Sequence, residues 1–208
     1  MRESKERQRF FDMLLEFSAE PDPEDRKKLE QAIWDEFGVS RAVFVLDMSG
    51  FSRLTQRYGV VHYLSMVRRM HVTSEPIIES HGGAVVKYEA DNCFAVFPDV
   101  QEAVLAAISM NLAFDAENII TPDELDIRIS CGVDHGDVLL IEDEDFFGNA
   151  VNLGSKLGED LAHPGEIIVT REAMARIPES ANIEHEPVTF NISGVQIEAC
   201  AVKYRKGS

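Results

Sequence analysis

Two aspartates flank short apolar runs of strand type: Asp47 closes Ala42-Val43-Phe44-Val45-Leu46, and Asp91 precedes Cys93-Phe94-Ala95-Val96-Phe97. A carboxylate at the end of a buried strand is costly unless something cationic meets it. Alone, either residue reads as an ordinary turn-forming aspartate. Together, and with Ser49-Gly50 following the first, they suggest a hard divalent cation shared with a phosphate ligand. Such ions take oxygen donors, and the free amides of a small-residue turn can meet an anion. Asn152 and Lys156 stand four apart in a helical pattern, so one ligand can meet both. Lys87 stands four residues before Asp91, and Asp145 ends the acidic run Glu142-Asp143-Glu144-Asp145. By themselves these two read as a cross-strand partner on a hairpin and a solvated charge.

The elements that must hold these residues can be read along the chain. Residues 1–38 form two helices, with Phe10, Leu14 and Phe17 on one face of the first and Leu29, Ile33 and Phe37 on one face of the second. Asp22 is the expected N-cap of the second helix, with Pro23 at its first position, and Gly38 closes it. After the strand ending at Asp47, the spacing of Leu54, Tyr58, Val61, Leu64, Val67 and Met70 predicts one long helix. Residues 84–88 and 92–97 form a hairpin about Glu89-Ala90-Asp91, and Asp99 with Glu102 opens a further helix. The alternation of Ile127, Ile129, Cys131 and Val133 predicts a strand, His135-Gly136-Asp137 a turn, and Val138 to Ile141 a returning strand. The pattern is α+β: a ferredoxin-like β-α-β-β-α-β core with an antiparallel sheet, an extra C-terminal β-hairpin and an N-terminal helical arm.

Composition narrows the function. With 20 basic against 37 acidic residues in 208, the net charge is −17, which argues against nucleic acid as a partner because phosphate backbones need a basic surface. No apolar run approaches the roughly 18 residues needed to span a bilayer, and the expected location is cytoplasmic. Cys93, Cys131 and Cys200 lie in apolar runs without metal-ligand spacing and read as reduced core residues.

Three stretches carry a family resemblance: Asp47-Met48-Ser49-Gly50-Phe51-Ser52, Lys87 with Asp91, and Asp145-Phe146-Phe147-Gly148-Asn149-Ala150-Val151-Asn152. In order and internal spacing they resemble the catalytic domain of the class III adenylate and guanylate cyclases, over residues from about 41 to 204. The resemblance implies a helical arm over 1–38 and a cyclase domain over 39–205. It implies that Asp47, Asp91 and the Met48 carbonyl hold two divalent cations, Mg²⁺ or Mn²⁺. These would activate the ribose 3′-hydroxyl and neutralise a triphosphate contacted by the amides of Gly50, Phe51 and Ser52.

Lys87 and Asp145 occupy the two base-recognising positions. A cationic donor and an acceptor match adenine, so the implied substrate is ATP and the product 3′,5′-cyclic AMP. Asn152 would orient the ribose. Lys156 stands where the family usually shows Arg and would stabilise charge on the α-phosphate as a point donor rather than a planar fork. Ala90 replaces a common Gly, and Ser193-Gly194 replaces a Lys-Gly pair, leaving Arg41 or another basic residue to meet the terminal phosphates. Because the chain carries both metal-binding and base-recognising residues, a homodimer is implied. A cyclase using GTP or another nucleotide, and a degenerate nucleotide-binding signalling domain of the same fold, stand as alternatives.

Overall fold

The computed structural model describes residues 4–141, 144–192 and 194–205. It opens with α1 (Lys5–Ala19) and α2 (Pro23–Phe37), which close on each other through Phe10, Met13, Ile33 and Phe37 and rest on Leu139 and Ile141. Asp22 caps α2 by accepting from the amides of Glu24 and Asp25, and Pro23 fixes its first turn. The chain continues through β1 (Gly38–Met48), α3 (Phe51–Tyr58), α4 (Val60–Ser80), β2 (Ala84–Glu89), β3 (Asn92–Phe97) and α5 (Val100–Asn118). Then follow β4 (Ile129–Ile141), β5 (Asp145–Phe147), α6 (Asn149–Ser155), β6 (Ile167–Thr170), α7 (Arg171–Met174), β7 (His185–Ile192) and β8 (Val195–Val202).

All strands join one sheet in the order β2-β3-β1-β4-β6-β8-β7, with β5 paired to the end of β4. Its first four strands have the ferredoxin-like order, and every pairing is antiparallel except β4 with β6. The β7–β8 hairpin is the added C-terminal edge. Alternation along β1 decides the two faces. Ala42, Phe44, Leu46 and Met48 enter the core beneath α4 and α5, while Val43 and Val45 face the opposite layer with Val138, Phe146 and Ala150. Asp47 continues the second series and so faces the α6 side. Cys93, Cys131 and Cys200 are free thiols buried in the sheet, as expected.

Three local expectations are corrected. The predicted long helix is two, because Gly59 takes φ +89 between α3 and α4. That left-handed residue resets the phase of the apolar stripe. Val61 and Leu64 are consequently 78% and 55% exposed, and Tyr63, Met66, Val67, Met70 and Ile78 form the buried face. His135-Gly136-Asp137 is not a turn but part of β4, which runs against β1 from Met48↔Ile129 to Gly38↔Leu139.

The glycines of β4 serve contact rather than reversal. A Cβ at Gly132 would lie 2.2 Å from the Gly154 carbonyl oxygen and 2.4 Å from the Gly158 amide nitrogen, so α6 and the turn after it sit directly on the strand backbone. Lastly, Asp145, which by itself reads as a solvated charge ending an acidic run, opens the short strand β5, paired Ile141↔Asp145 and Leu139↔Phe147.

The β2–β3 turn carries a conformational cost. Ala90 adopts φ 53, a left-handed conformation that costs an alanine roughly 1–2 kcal/mol. Part of that is offset by the smaller backbone entropy of alanine in the unfolded chain. Ala90→Gly is therefore expected to raise the melting temperature by about 1–3 °C, equivalent to roughly 0.5–1 kcal/mol. A lower melting temperature would show that the methyl group contributes packing that outweighs the strain.

Candidate active site

Hydrogen bonding along the sheet brings the two aspartates into one neighbourhood. Asp47 pairs across β1–β3 with Asn92, and the Met48 amide donates to the Asp91 carbonyl oxygen at 3.1 Å. On its other side Asp47 pairs with Ser130 of β4, which is buried. The Asp47 carboxyl is pushed up to about 7, first by burial, then by the charge of Asp91, and further by Glu159 and Asp160. These last two lie on the wide π-helical turn Lys156–Leu161 that follows α6. Tyr63 of α4 lies beside the Asp91 carboxylate, and its hydroxyl is driven well above the usual tyrosine value by burial and by both aspartates. Sequence reading passed over Tyr63 because the break at Gly59 hid which face of α4 is buried.

A half-buried carboxylate raised by burial and by the charge of a neighbouring one suits hard divalent cations. Among the described residues no group of three or more His, Cys, Asp or Glu side chains forms a complete metal cage. Mg²⁺ characteristically uses one or two carboxylates and completes its shell from water and substrate phosphate. The residues therefore fit metal held jointly by protein and nucleotide.

The turn expected to meet the phosphates offers backbone amides. Gly50 adopts φ 99 and ψ 13, a left-handed conformation natural to glycine, and turns the chain from β1 into α3. The first intrahelical bond runs from the Leu54 amide to the Gly50 carbonyl at 3.0 Å. The amides of Gly50, Phe51, Ser52 and Arg53 consequently have no partner within the helix and form an anion-facing end.

Ser49 donates its amide to the Arg128 carbonyl at 2.9 Å, which extends the β1–β4 register by one pair beyond Met48↔Ile129. Arg128 thus shares the face of Asp47 and Ser130, and its guanidinium makes no hydrogen bond or ion pair among the described residues. The alternation Ile127, Ile129, Cys131 leaves Arg128 on the polar face and is the signal that marks it in the sequence. Arg41 is a different matter. It lies six positions before Asp47 on β1, about 20 Å away along an extended strand, beside a separate cleft of about 400 Å³ with Ala84, Val96 and Leu140. Within one chain it is displaced from the Asp47 end. Ser193 lies outside the described residues.

Lys87 and Asp145, expected from the resemblance to recognise the base, meet in the folded chain. Lys87 Nζ lies 3.0 Å from Asp145 Oδ1 and 3.3 Å from Glu89 Oε2, with its ammonium 5.2 Å from the centre of the Phe94 ring. Burial would lower the Lys87 ammonium, but the hydrogen bond and charge of Asp145, then of Glu89, outweigh it and hold it above the ordinary lysine value. Lys156 continues the helix of Asn152, its amide donating to the Asn152 carbonyl, and its ammonium pairs with Asp160 at 2.5 Å. Asn152 is exposed on α6.

Fold and site together define an α+β domain with two aspartates and the free amides of a helix N-terminus gathered at one end of its sheet. The model of the adenylate and guanylate cyclase catalytic domain matches residues 39–198, and the chain belongs to that family. A Rhizobium meliloti protein with the provisional name adenylate cyclase 3 is 31% identical over 62% of this chain. An adenylate cyclase of Streptomyces coelicolor is 31% identical over 70% of it. The matches span only 22% and 39% of those two proteins. Among solved structures, an adenylate/guanylate cyclase/hydrolase from Silicibacter pomeroyi matches with TM-score 0.65 and 26% identity, over 79% of this chain and 96% of that one. A bacterial light-regulated adenylyl cyclase shares the fold with TM-score 0.68 and 20% identity, over 79% and 90%. Among the described residues no helix is long and apolar enough to cross a membrane.

The repulsion at Asp47 has a measurable sign. Its value of about 7 lies above the ordinary 3.8, so the metal-free fold gains stability from holding that proton and loses it as pH rises through 7. Because the group is partly solvated, the effect is discounted to about 1 kcal/mol. In EDTA at pH 8, Asp47→Asn is expected to melt roughly 2–4 °C above the unaltered chain, with the gap narrowing as pH falls below 7 and closing only near the ordinary carboxylate value of 3.8. Added Mn²⁺ should stabilise only the unaltered chain. A variant that melts lower in EDTA at pH 8 would show the carboxylate to be a structural acceptor instead.

Proposed function

We propose that this chain is the catalytic domain of an adenylate cyclase that converts ATP to 3′,5′-cyclic AMP and pyrophosphate as a two-fold homodimer. The observation that carries the choice of base is the Lys87–Asp145 contact at 3.0 Å. Adenine offers an acceptor at N1 beside a donor at its 6-amino group, so it can enter between ammonium and carboxylate and satisfy both. Guanine presents a donor and then an acceptor there, and would face each residue with the wrong partner, leaving buried polar groups unpaired.

Asp47, Asp91 and the Met48 carbonyl would hold two divalent cations, Mg²⁺ or Mn²⁺. When bound, these supply charge neutralisation at the triphosphate and acidify the ribose 3′-hydroxyl. The protein's own groups do the rest. The amides of Gly50, Phe51 and Ser52 receive phosphate oxygens, and Arg128 adds a charged planar donor beside them. Asn152 holds the ribose so that its 3′-oxygen lies in line with the α-phosphorus, and Lys156 leaves Asp160 to meet charge developing on the α-phosphate. Both sets of residues occur in one chain, so a two-fold dimer gives two equivalent sites.

The test is incubation of the purified chain with ATP and Mn²⁺ and chromatography for a cyclic product. Cyclic AMP is expected, with specific activity rising with protein concentration. Asp91→Ala should cut turnover by roughly 100-fold or more while the protein stays folded. Cyclic GMP from GTP in preference would overturn the assignment of base. Nucleotide binding with no product from either substrate would establish a signalling domain without turnover, the reading that the Lys156–Asp160 pair favours. For Arg128→Ala the expectation is a KM for ATP about tenfold higher with kcat little changed, the loss of one charge-assisted contact. An unchanged KM would place the phosphates elsewhere.

A further inference from the structure

We propose that α1 is a positioning element for nucleobase selection, acting by clamping the residues on either side of Asp145. This rests on the reading that Lys87 and Asp145 receive the base.

β5 is a three-residue strand, hydrogen-bonded through Leu139↔Phe147, Leu140↔Phe146 and Ile141↔Asp145. So short an edge element is weakly fixed by its ladder alone. Phe146 anchors one face of it against Phe94, with ring centres 6.2 Å apart at 78°. By strand alternation Asp145 and Phe147 share the other face. That face is where the arm arrives. The Phe10 ring of α1 stacks on Phe147 with centres 5.6 Å apart and planes within 4°.

One residue before Asp145, the Glu144 carboxylate takes a second set of arm contacts. It accepts from the Ser4 amide at 3.2 Å and stands 4.0 Å from the Arg7 guanidinium. Two independent contacts therefore bracket the base-recognising carboxylate, one aromatic and one electrostatic. Both come from the first two turns of α1, between its N-cap Ser4 and Phe10.

The partner of Asp145 is fixed differently. Lys87 belongs to β2 and lies over Phe94, within the sheet. A shift of α1 therefore moves Asp145 relative to a stationary Lys87, and a displacement near 1 Å in such a pair is enough to change rates by about 100-fold. A helix that only covered the apolar ends of β4 would need Leu139 and Ile141 beneath it. It would have no use for Ser4 and Arg7 at Glu144.

The experiment compares kcat/KM for ATP with that for GTP in the full chain and its variants. Lys87→Ala serves as reference for the base reading. Arg7→Glu and Phe10→Ala are each expected to lower the ATP-to-GTP ratio about fivefold. The swap Arg7→Glu with Glu144→Lys is expected to restore the ratio to within about twofold. Arg7 is partly exposed, so its variant carries the test even where Phe10→Ala fails to fold. Rescue of the ratio by the swap would support the proposal, since a loss of stability alone would not be undone by reversing one ion pair. An unchanged ratio in Arg7→Glu, or equal losses for both nucleotides, would overturn it while a shifted ratio in Lys87→Ala keeps the base reading intact. A ratio unmoved by Lys87→Ala would remove the base reading and this inference with it.

Discussion

Two like charges held within each other's field are the costly feature on which the rest of the molecule depends. β1 delivers Asp47 at its end, and the β2–β3 turn delivers Asp91 against it through the Met48 amide. The chain adds Glu159 and Asp160 nearby, and among the described residues no ion pair reaches Asp47 or Asp91. Burial and these neighbouring charges push the Asp47 carboxyl up to about 7. A fold selected only for stability would have paired one of them with an arginine or replaced it. The uncompensated arrangement makes sense where the compensating charge arrives with a ligand.

A second constraint positions the groups that would act on that ligand. Gly132, Gly154 and Gly158 let α6 and its π-helical extension rest on the backbone of β4 at distances no side chain permits. Gly154 packs against Val43 and Val45, the same side-chain series that ends at Asp47. The sheet register and the glycine seat therefore refer Asn152, Lys156, Glu159 and Asp47 to one strand pair. The wide turn at Lys156–Leu161 carries the acidic residues toward Asp47, and the regular turns before it carry Asn152.

Much of the framework was legible because local chemistry and global fold agree. Asp22-Pro23 starts α2 as its caps require, and Asp99 accepts from the Glu102 amide at 2.9 Å to open α5. The strand pattern about Asp47 and Asp91 places both at the same end of the sheet. What failed were positions where glycine has more than one use. Gly59 breaks a helix whose apolar spacing continues across it, and Gly136 sits mid-strand because Ala150 packs over it. Tyr63 and Arg128 were missed for a related reason. Each matters through a neighbour distant in sequence, Asp91 for one and Ser49 for the other, and periodicity reports a face without saying what stands opposite. The Lys87–Asp145 contact joins residues 58 apart; their types and family spacing named them, but only folding brings β5 beside β2.

The cations of the candidate site are held in reserve. Lys87 is paired to Asp145 and Glu89, and Lys156 to Asp160. In a chain of net charge −17, an unpaired ammonium would attract whichever carboxylate was nearest, so defined internal partners keep each one near its place of use. Partly exposed pairs of this kind contribute only about 0–1 kcal/mol, so a nucleotide can exchange with them at little cost. Once base or phosphate replaces the internal carboxylate and water is excluded, the same charges act through a lower dielectric and their attraction grows. In the proposed cyclase Asp145 would then turn from counter-ion to acceptor for the base without moving far. That economy of motion requires the short strand carrying it to be held from outside the sheet, which is the position α1 occupies.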